Sequence, residues 1–430
     1  MMPTQPSMRV QRSWLGRFWR AFGYSARREG QFLVQHRWDF AMLFWMPIVL
    51  MFLVWWVFSK GMAVDIPIAV VDHDQSAQSA ALMRYIDATP EVTIVSQLYD
   101  PQAVKYAIET TQVYAVVEIP ANFSKNLLAA EPTRVLLNVN AQFGSHSGMI
   151  QKSVQTAVTT FSAGAEIQRR VAKSEDISLV KSRYAPIQSQ SVALFNTANN
   201  YQQFLAVTVV PALFHILSMV IGASAVGREL RDKTLGDWYH SLGDKRFAQP
   251  SKLSPTTVSQ GVTHPKLSLV IAGLNGKLIW AMVAYTIWAA VALTLMMQIF
   301  PIRLASVAIT YVIFLLFMMV SFWMGVIVTV GTFSYRQGLS FTGFISAPSF
   351  AFSGVTFPLL AMSPAAQYWA NALPLTHYLK VQTTQLQMAA PPSMAQASLF
   401  GFLLTVALTL LLSALLTQKA LRTPQKWGQR

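Results

Sequence analysis

The residues with the most chemical potential crowd into "VGRELRDKTLGDWYH" (226–240), where Arg228, Glu229, Arg231, Asp232, Lys233 and Asp237 fall within ten positions. On a helix Arg228 would meet Asp232, and Glu229 would meet Lys233, each at i,i+4. The stretch is therefore either a self-paired helix facing solvent or a charged surface offered to a partner. His215, inside "VVPALFHILSMV", is an ionisable side chain in an apolar run. Such a residue is a candidate for proton relay, or a neutral ring bonded to a neighbouring helix. In "VDHDQS" (71–76) strand alternation places Asp72 and Asp74 on one side, with His73 between them. That pattern suits a metal, or Asp74 as the cap of the following helix. "NFS" at Asn122 fits a glycosylation sequon. No phosphate-cradling loop is encoded, since "GLNGKL" (273–278) lacks both the spacing and the hydroxyl of GxxxxGK[ST]. HExxH and GxSxG are missing too, and there is no cysteine for a disulfide or thiolate site. These residues predict no catalytic centre, no bound metal and no cofactor.

The elements that must carry these residues are mostly apolar. The 430-residue chain is 53% hydrophobic and 12% charged, against about a quarter charged in soluble domains. Six runs are about long enough to cross a bilayer as helices: Phe40–Phe58, Phe204–Val226, Leu278–Phe300, Leu304–Val330, Leu339–Leu360 and Ala397–Thr417. The expected fold is a polytopic α-helical membrane protein with six transmembrane helices. Pro47, Pro211 and Pro348 are expected to kink or break their spans. The first run follows a 39-residue basic leader and is longer than a signal core, so it reads as an anchor.

Orientation follows from Lys and Arg. With the N-terminus inside, segments 1–39, 227–277, 331–338 and 418–430 hold 20 of the 33 basic residues. Segment 59–203 is nearly balanced, with 11 basic and 12 acidic residues. The net charge of +15 is thus a positive-inside bias, and nucleic acid is not needed to explain it. Both termini are predicted to be cytoplasmic. In the leader, Trp14, Leu15, Phe18, Trp19 and Phe22 cover about 140° of a helix, opposite Arg17 and Arg20. The stretch reads as an interfacial amphipathic helix or as an ordinary basic flank.

Between the first two spans, strand-like "IPIAVVD" (66–72), "VTIV" (92–95), "VYAVVEI" (113–119) and "RVLLNVN" (134–140) alternate with helical Ser76–Asp87, Pro101–Glu109 and Ala121–Ala130. This alternation predicts a small α/β domain, extracytoplasmic in the topology above, with long polar helices returning to the membrane. Residues 227–277 join the charged helix to a Pro- and Ser-rich loop; 278–417 hold spans three to six.

Three motifs are similar to one family. "VGRELRDKTLGDW" resembles the coupling-helix segment of type-2 ABC exporter permeases, "FSGVTFPLLAMSPAAQYWANALPLTHYLK" (352–380) resembles their late signature, and "IPIAVVDHDQSAQSA" resembles the strand opening a large periplasmic insertion. The resemblance implies the membrane half of an ATP-driven exporter in a bacterial inner membrane. It would work as a dimer with a second permease copy or paralogue, beside a separate ABC ATPase subunit, with a periplasmic adaptor as a further partner and membrane lipids around it. Arg228, Glu229, Arg231 and Thr234 would then couple to the ATPase. Gly354, Pro358, Pro364, Pro374, Thr376 and His377 would form the late, re-entrant signature. Two departures stand out: Lys233 occupies the family's usual Gly position, and 243–266 reads as an insertion beside the coupling helix. The substrate expected is hydrophobic or amphipathic. Competing readings are a proton-coupled transporter using His215, and a membrane-anchored receptor acting through the outside domain.

Overall fold

Proline placement explains where the first apolar run bends. The computed structural model describes residues 14–172, 194–196, 200–243, 262–299 and 303–428. The chain opens with α1 (Trp14–Gln35), α2 (Arg37–Leu43) and α3 (Trp45–Val57), and α2 and α3 meet at an angle of 47°. The Pro47 ring displaces the carbonyl four residues back, that of Leu43, and the helix breaks there. The orphaned Leu43 carbonyl accepts instead from Trp288 Nε1 at 2.8 Å, and Met42 O accepts from Tyr285 Oη at 3.2 Å.

Residues 60–194 form one compact unit; 1–59 with 195–430 form the other. In the first of these, β1 (Ile66–Asp72), α4 (Ala77–Asp87), β2 (Val92–Gln97), α5 (Pro101–Glu109), β3 (Ala115–Ile119), α6 (Phe123–Ala129) and β4 (Leu136–Val139) precede the long α7 (Gly144–Ala172). The sheet order is β2-β1-β3-β4, with β1 parallel to both neighbours and β4 antiparallel to β3. Strand alternation divides the core. Ile68, Val70 and Val117 join Leu82, Phe123 and Ile150 on one face, whereas Ala69, Val71 and Val116 join Ala107 on the other. Near the end of α7 the Arg169 guanidinium, then that of Arg170, holds the Glu166 carboxyl down at a pKa of about 2.

The other unit continues through a π-helical turn (Gln202–Ala206) into α8 (Val207–Arg231), α9 (Leu235–Ser241), α10 (Leu267–Met297), α11 (Leu304–Thr332) and α12 (Tyr335–Ser346), then α13 (Pro364–Ala372), α14 (Pro374–Gln382) and α15 (Gln396–Arg422). Four helices among the described residues are long and apolar enough to cross a membrane: Gln202–Arg231, Leu267–Met297, Leu304–Thr332 and Pro392–Arg422; the bent α2–α3 pair makes a fifth. The Leu339–Leu360 run is not one continuous helix, in keeping with the break expected at Pro348. Helix α12 ends at Ser346, Pro348 opens a 3₁₀ turn, and Gly354 (φ +82°) reverses the chain.

Helices α8 and α11 pack through small residues. A Cβ on Gly222 would lie 2.0 Å from Phe322 O, and one on Gly325 would lie 2.0 Å from Met219 O. Backbones that close are how apolar helices gain contact when lipid already solvates their side chains. Pro211, inside α8, frees the carbonyl of Val207, which receives Gln382 Nε2 from α14 at 2.8 Å. Trp45, Phe52 and Trp56 on α3, with Phe400, Leu404 and Leu408 on α15, remain exposed.

Candidate functional site

Helix α8 ends in a Schellman cap: Thr234 N donates to Glu229 O at 2.9 Å and Lys233 N to Leu230 O at 3.4 Å. That cap requires a left-handed residue, and Lys233 supplies it at φ +59°. The position is the one where the resemblance calls for glycine.

The last turns of α8 carry Arg228 and Glu229, both buried, at 8% and 5% exposure. Their partners are not the i,i+4 residues expected from the sequence. Glu229 accepts from Lys277 Nζ of α10 at 2.8 Å, from Arg28 Nη2 of α1 at 3.0 Å, and from the Thr234 hydroxyl. Arg228 donates to Glu29 of α1 and to Asp39 of α2, the latter at 3.2 Å, with its guanidinium 3.7 Å above the Phe32 ring. Lys277 also reaches Glu29 at 3.6 Å. Asp232, the expected partner of Arg228, pairs with the adjacent Arg231 at 2.8 Å. The self-paired helix is thereby corrected: tertiary partners from α1, α2 and α10 outcompete local ones because burial leaves them no water.

Three carboxylates (Glu29, Asp39, Glu229) face three cations (Arg28, Arg228, Lys277), so the cluster is neutral. Every member is engaged by an opposite charge, which suits mechanical connection rather than acid–base or nucleophilic work. Small and polar contacts hold the same helices together. Trp238 Nε1 of α9 donates to Ser25 Oγ at 3.1 Å, and Ser25 donates to Gly273 O at 2.7 Å. Within the "GLNGKL" string Gly276 of α10 receives Phe22 and Ser25 of α1, and the next residue is the buried Lys277. Helix α1 turns Ala21, Ser25 and Glu29 inward, while Trp14, Leu15 and Trp19 of the aromatic stripe stay exposed.

Sequence reasoning singled out Arg228 and Glu229 but missed Arg28, Glu29, Asp39 and Lys277. A lysine at the mouth of an apolar run was the available signal for Lys277. The small-polar 21/25/29 spacing was the signal for α1. Arg231 is exposed and Thr234 half-buried, so the outward face of this corner is 231–234 with Asp237 and His240. Burial raises the Asp237 carboxyl above its ordinary range, against the pull of Arg28 and His240. The 243–266 segment is described only at its ends; residues 244–261 lie outside the described residues. Its return is pinned by Val262 N to Leu421 O at 2.9 Å and Lys266 N to Tyr239 Oη at 2.7 Å.

In the late signature each proline starts an element. Pro358 precedes a 3₁₀ turn, Pro364 opens α13 and Pro374 opens α14. Gly354 takes the left-handed position, Thr376 is buried with no hydroxyl partner among the described residues, and His377 Nε2 donates to Asn371 O at 2.8 Å. These residues build a chain of short helices and do not meet the charge cluster's hydrogen bonds.

His215 is fully buried. Ser321 Oγ donates to Phe317 O at 2.8 Å, so His215 Nδ1 carries the proton that Ser321 accepts at 2.7 Å. Its ring stacks on Phe317, and among the described residues no carboxylate bonds to Nε2. In the 60–194 unit, Ser76 rather than Asp74 caps α4, through a capping box with Ser79. Asp74 instead accepts from Ser124 N at the start of α6, and Asp72 accepts from Ser79 Oγ at 2.7 Å. His73 contacts Glu118 at 3.2 Å. Among the described residues no group of His, Asp and Glu is arranged to hold a metal ion. Asn122 is left-handed at φ +63°, preceding α6.

Residues 37–241 match the family model described as ABC-2 family transporter protein, a little under half of the chain. No curated protein and no solved structure matches the chain. The matched stretch includes Asp39, Arg228, Glu229 and all of α9. The similarity supports a multi-pass membrane transport subunit of the ABC-2 permease type.

Proposed function

We propose that this chain is the membrane-spanning permease subunit of an ATP-driven exporter, moving a hydrophobic or amphipathic substrate outward. It works as a dimer, powered by ATP hydrolysed on a separate subunit. The chain crosses the membrane six times with both termini cytoplasmic. The fifth crossing is the broken α12 and the short helices after it; irregular backbone of this kind is tolerated at membrane depth only where protein covers it, which assigns that cover to the second copy in the dimer. The 60–194 unit then stands outside, where a periplasmic adaptor would meet it.

One observation carries the reading: the charged corner is buried on its inner side and exposed on its outer side. A chain without a phosphate-binding motif must receive work through a surface. Arg231, Thr234, Asp237 and His240 offer that surface to the ATPase. Arg228 and Glu229 lie behind it, pairing with α1, α2 and α10, so a push on α9 reaches four helices at once. Their coupling role is transmission rather than contact.

The test is recovery of partners from native membranes. An ATPase subunit should co-purify with the wild type, and charge reversal at Arg231 should weaken recovery while expression and thermal unfolding stay unchanged. Equal ATPase recovery with the Arg231→Glu variant would remove this corner from the docking surface. ATP hydrolysis by the rigorously purified chain alone would overturn the subunit assignment.

A further inference from the structure

At the foot of α12, beside the end of α8, lies a cavity of about 620 Å³. Arg231, Tyr335, Arg336, Gln337 and Phe341 are among its described lining residues; the Arg231 guanidinium is already paired with Asp232 at 2.8 Å, which leaves Arg336 as the cation that can receive an anion. The face of α12 that leaves this cavity is graded. Arg336 and Gln337 are exposed at its start; one and two turns on, Phe341 and Phe344 are exposed at 51% and 69%. Positions 337, 341 and 344 share one helical stripe. Polar, cationic side chains therefore give way to aromatic ones in the direction that leads into the bilayer under the proposed topology.

We propose that this cavity binds the headgroup of an anionic phospholipid, whose acyl chains lie along Phe341 and Phe344. The cavity has the size of a small-molecule site. Basic pockets between helices on the cytoplasmic side suit anionic headgroups, and guanidinium grips phosphate in bidentate fashion. An acidic protein segment would also meet Arg336, but it gives no role to two exposed phenylalanines on the same stripe. The lipid reading needs the membrane orientation but not ATP coupling, so the two stand or fall separately.

The experiment uses the full chain, purified with its partners and offered phosphatidylglycerol and phosphatidylcholine in equal amounts, with retained lipid counted by native mass spectrometry. Phosphatidylglycerol should be retained preferentially, and excess soluble glycerol phosphate should not displace it. Arg336→Gln should lower the preference about fivefold, the worth of one charge near an anionic surface, and Arg336→Lys should keep most of it. The wild-type lipid competition alone decides the matter if Arg336→Gln does not fold. Equal retention of both lipids overturns the proposal. Displacement by glycerol phosphate does so too, by making this a soluble-phosphate site. Unchanged lipid preference with lost ATPase recovery in Arg336→Gln assigns the cavity to a protein partner, and overturns it as well.

Discussion

Glu229 sits between Lys277, whose side chain is 2% exposed, and Arg28. Removing one member of a buried charge set typically costs about 3–5 kcal/mol, because the others remain buried without a counter-charge. Glu229→Ala should therefore lower stability in detergent, besides any effect on transport. Glu229→Leu combined with Lys277→Met should recover a large part of that loss, measured as thermal unfolding of both singles and the double. Strictly additive losses would mean that the pair does not couple. At the cap, Lys233 is held left-handed, which costs an ordinary residue about 1–2 kcal/mol relative to glycine. Lys233→Gly should raise the unfolding temperature, and a fall would mean that the lysine side chain contributes more than its backbone costs. The departure from the family's glycine was visible in the sequence. Its consequence was not, because φ is a property of the folded cap.

At the scale of elements, two prolines use the same device. Pro47 frees Leu43 O, which Trp288 fills; Pro211 frees Val207 O, which Gln382 fills. The prolines themselves announced a break. The donors, more than 170 positions away in each case, carried no local signal. Trp288→Phe keeps much of the ring but abandons the Leu43 carbonyl, at about 1–3 kcal/mol for an unsatisfied buried group. Pro47→Ala lets the backbone N–H take that carbonyl back. The double variant should lose less stability than Trp288→Phe alone, measured by thermal unfolding in detergent. An equal loss would detach the donor from the proline. Hydrophobic length located α8, α10, α11 and α15 well, since a 20-residue apolar run has few other uses. Length alone does not describe Leu339–Leu360, where Pro348, already read from the sequence as a break, and Gly354 override composition. In the 60–194 unit, strand β1 falls on "IPIAVVD", yet Ser76 took the capping role read for Asp74.

For the whole molecule, the charge census predicts a cytoplasmic C-terminus and an outside location for the 60–194 unit. Reporters fused at position 130 and after the C-terminus should read outside and inside respectively. The opposite result at either site would invert or re-count the crossings. The charged corner was legible as important but not as a tertiary knot. Its partners come from α1, α2 and α10, and i,i+4 arithmetic sees only one helix.

The neutrality of that knot has an electrical consequence. Moving one net elementary charge through the membrane field takes about 2.3 kcal/mol per 100 mV. Three carboxylates and three cations that shift together carry no net charge, so their displacement performs no work against the membrane potential. Strokes passed through α1, α8 and α10 should therefore run at the same rate in polarised and depolarised vesicles when ATP is held constant. A steep voltage dependence would mean that some other charge travels with the stroke.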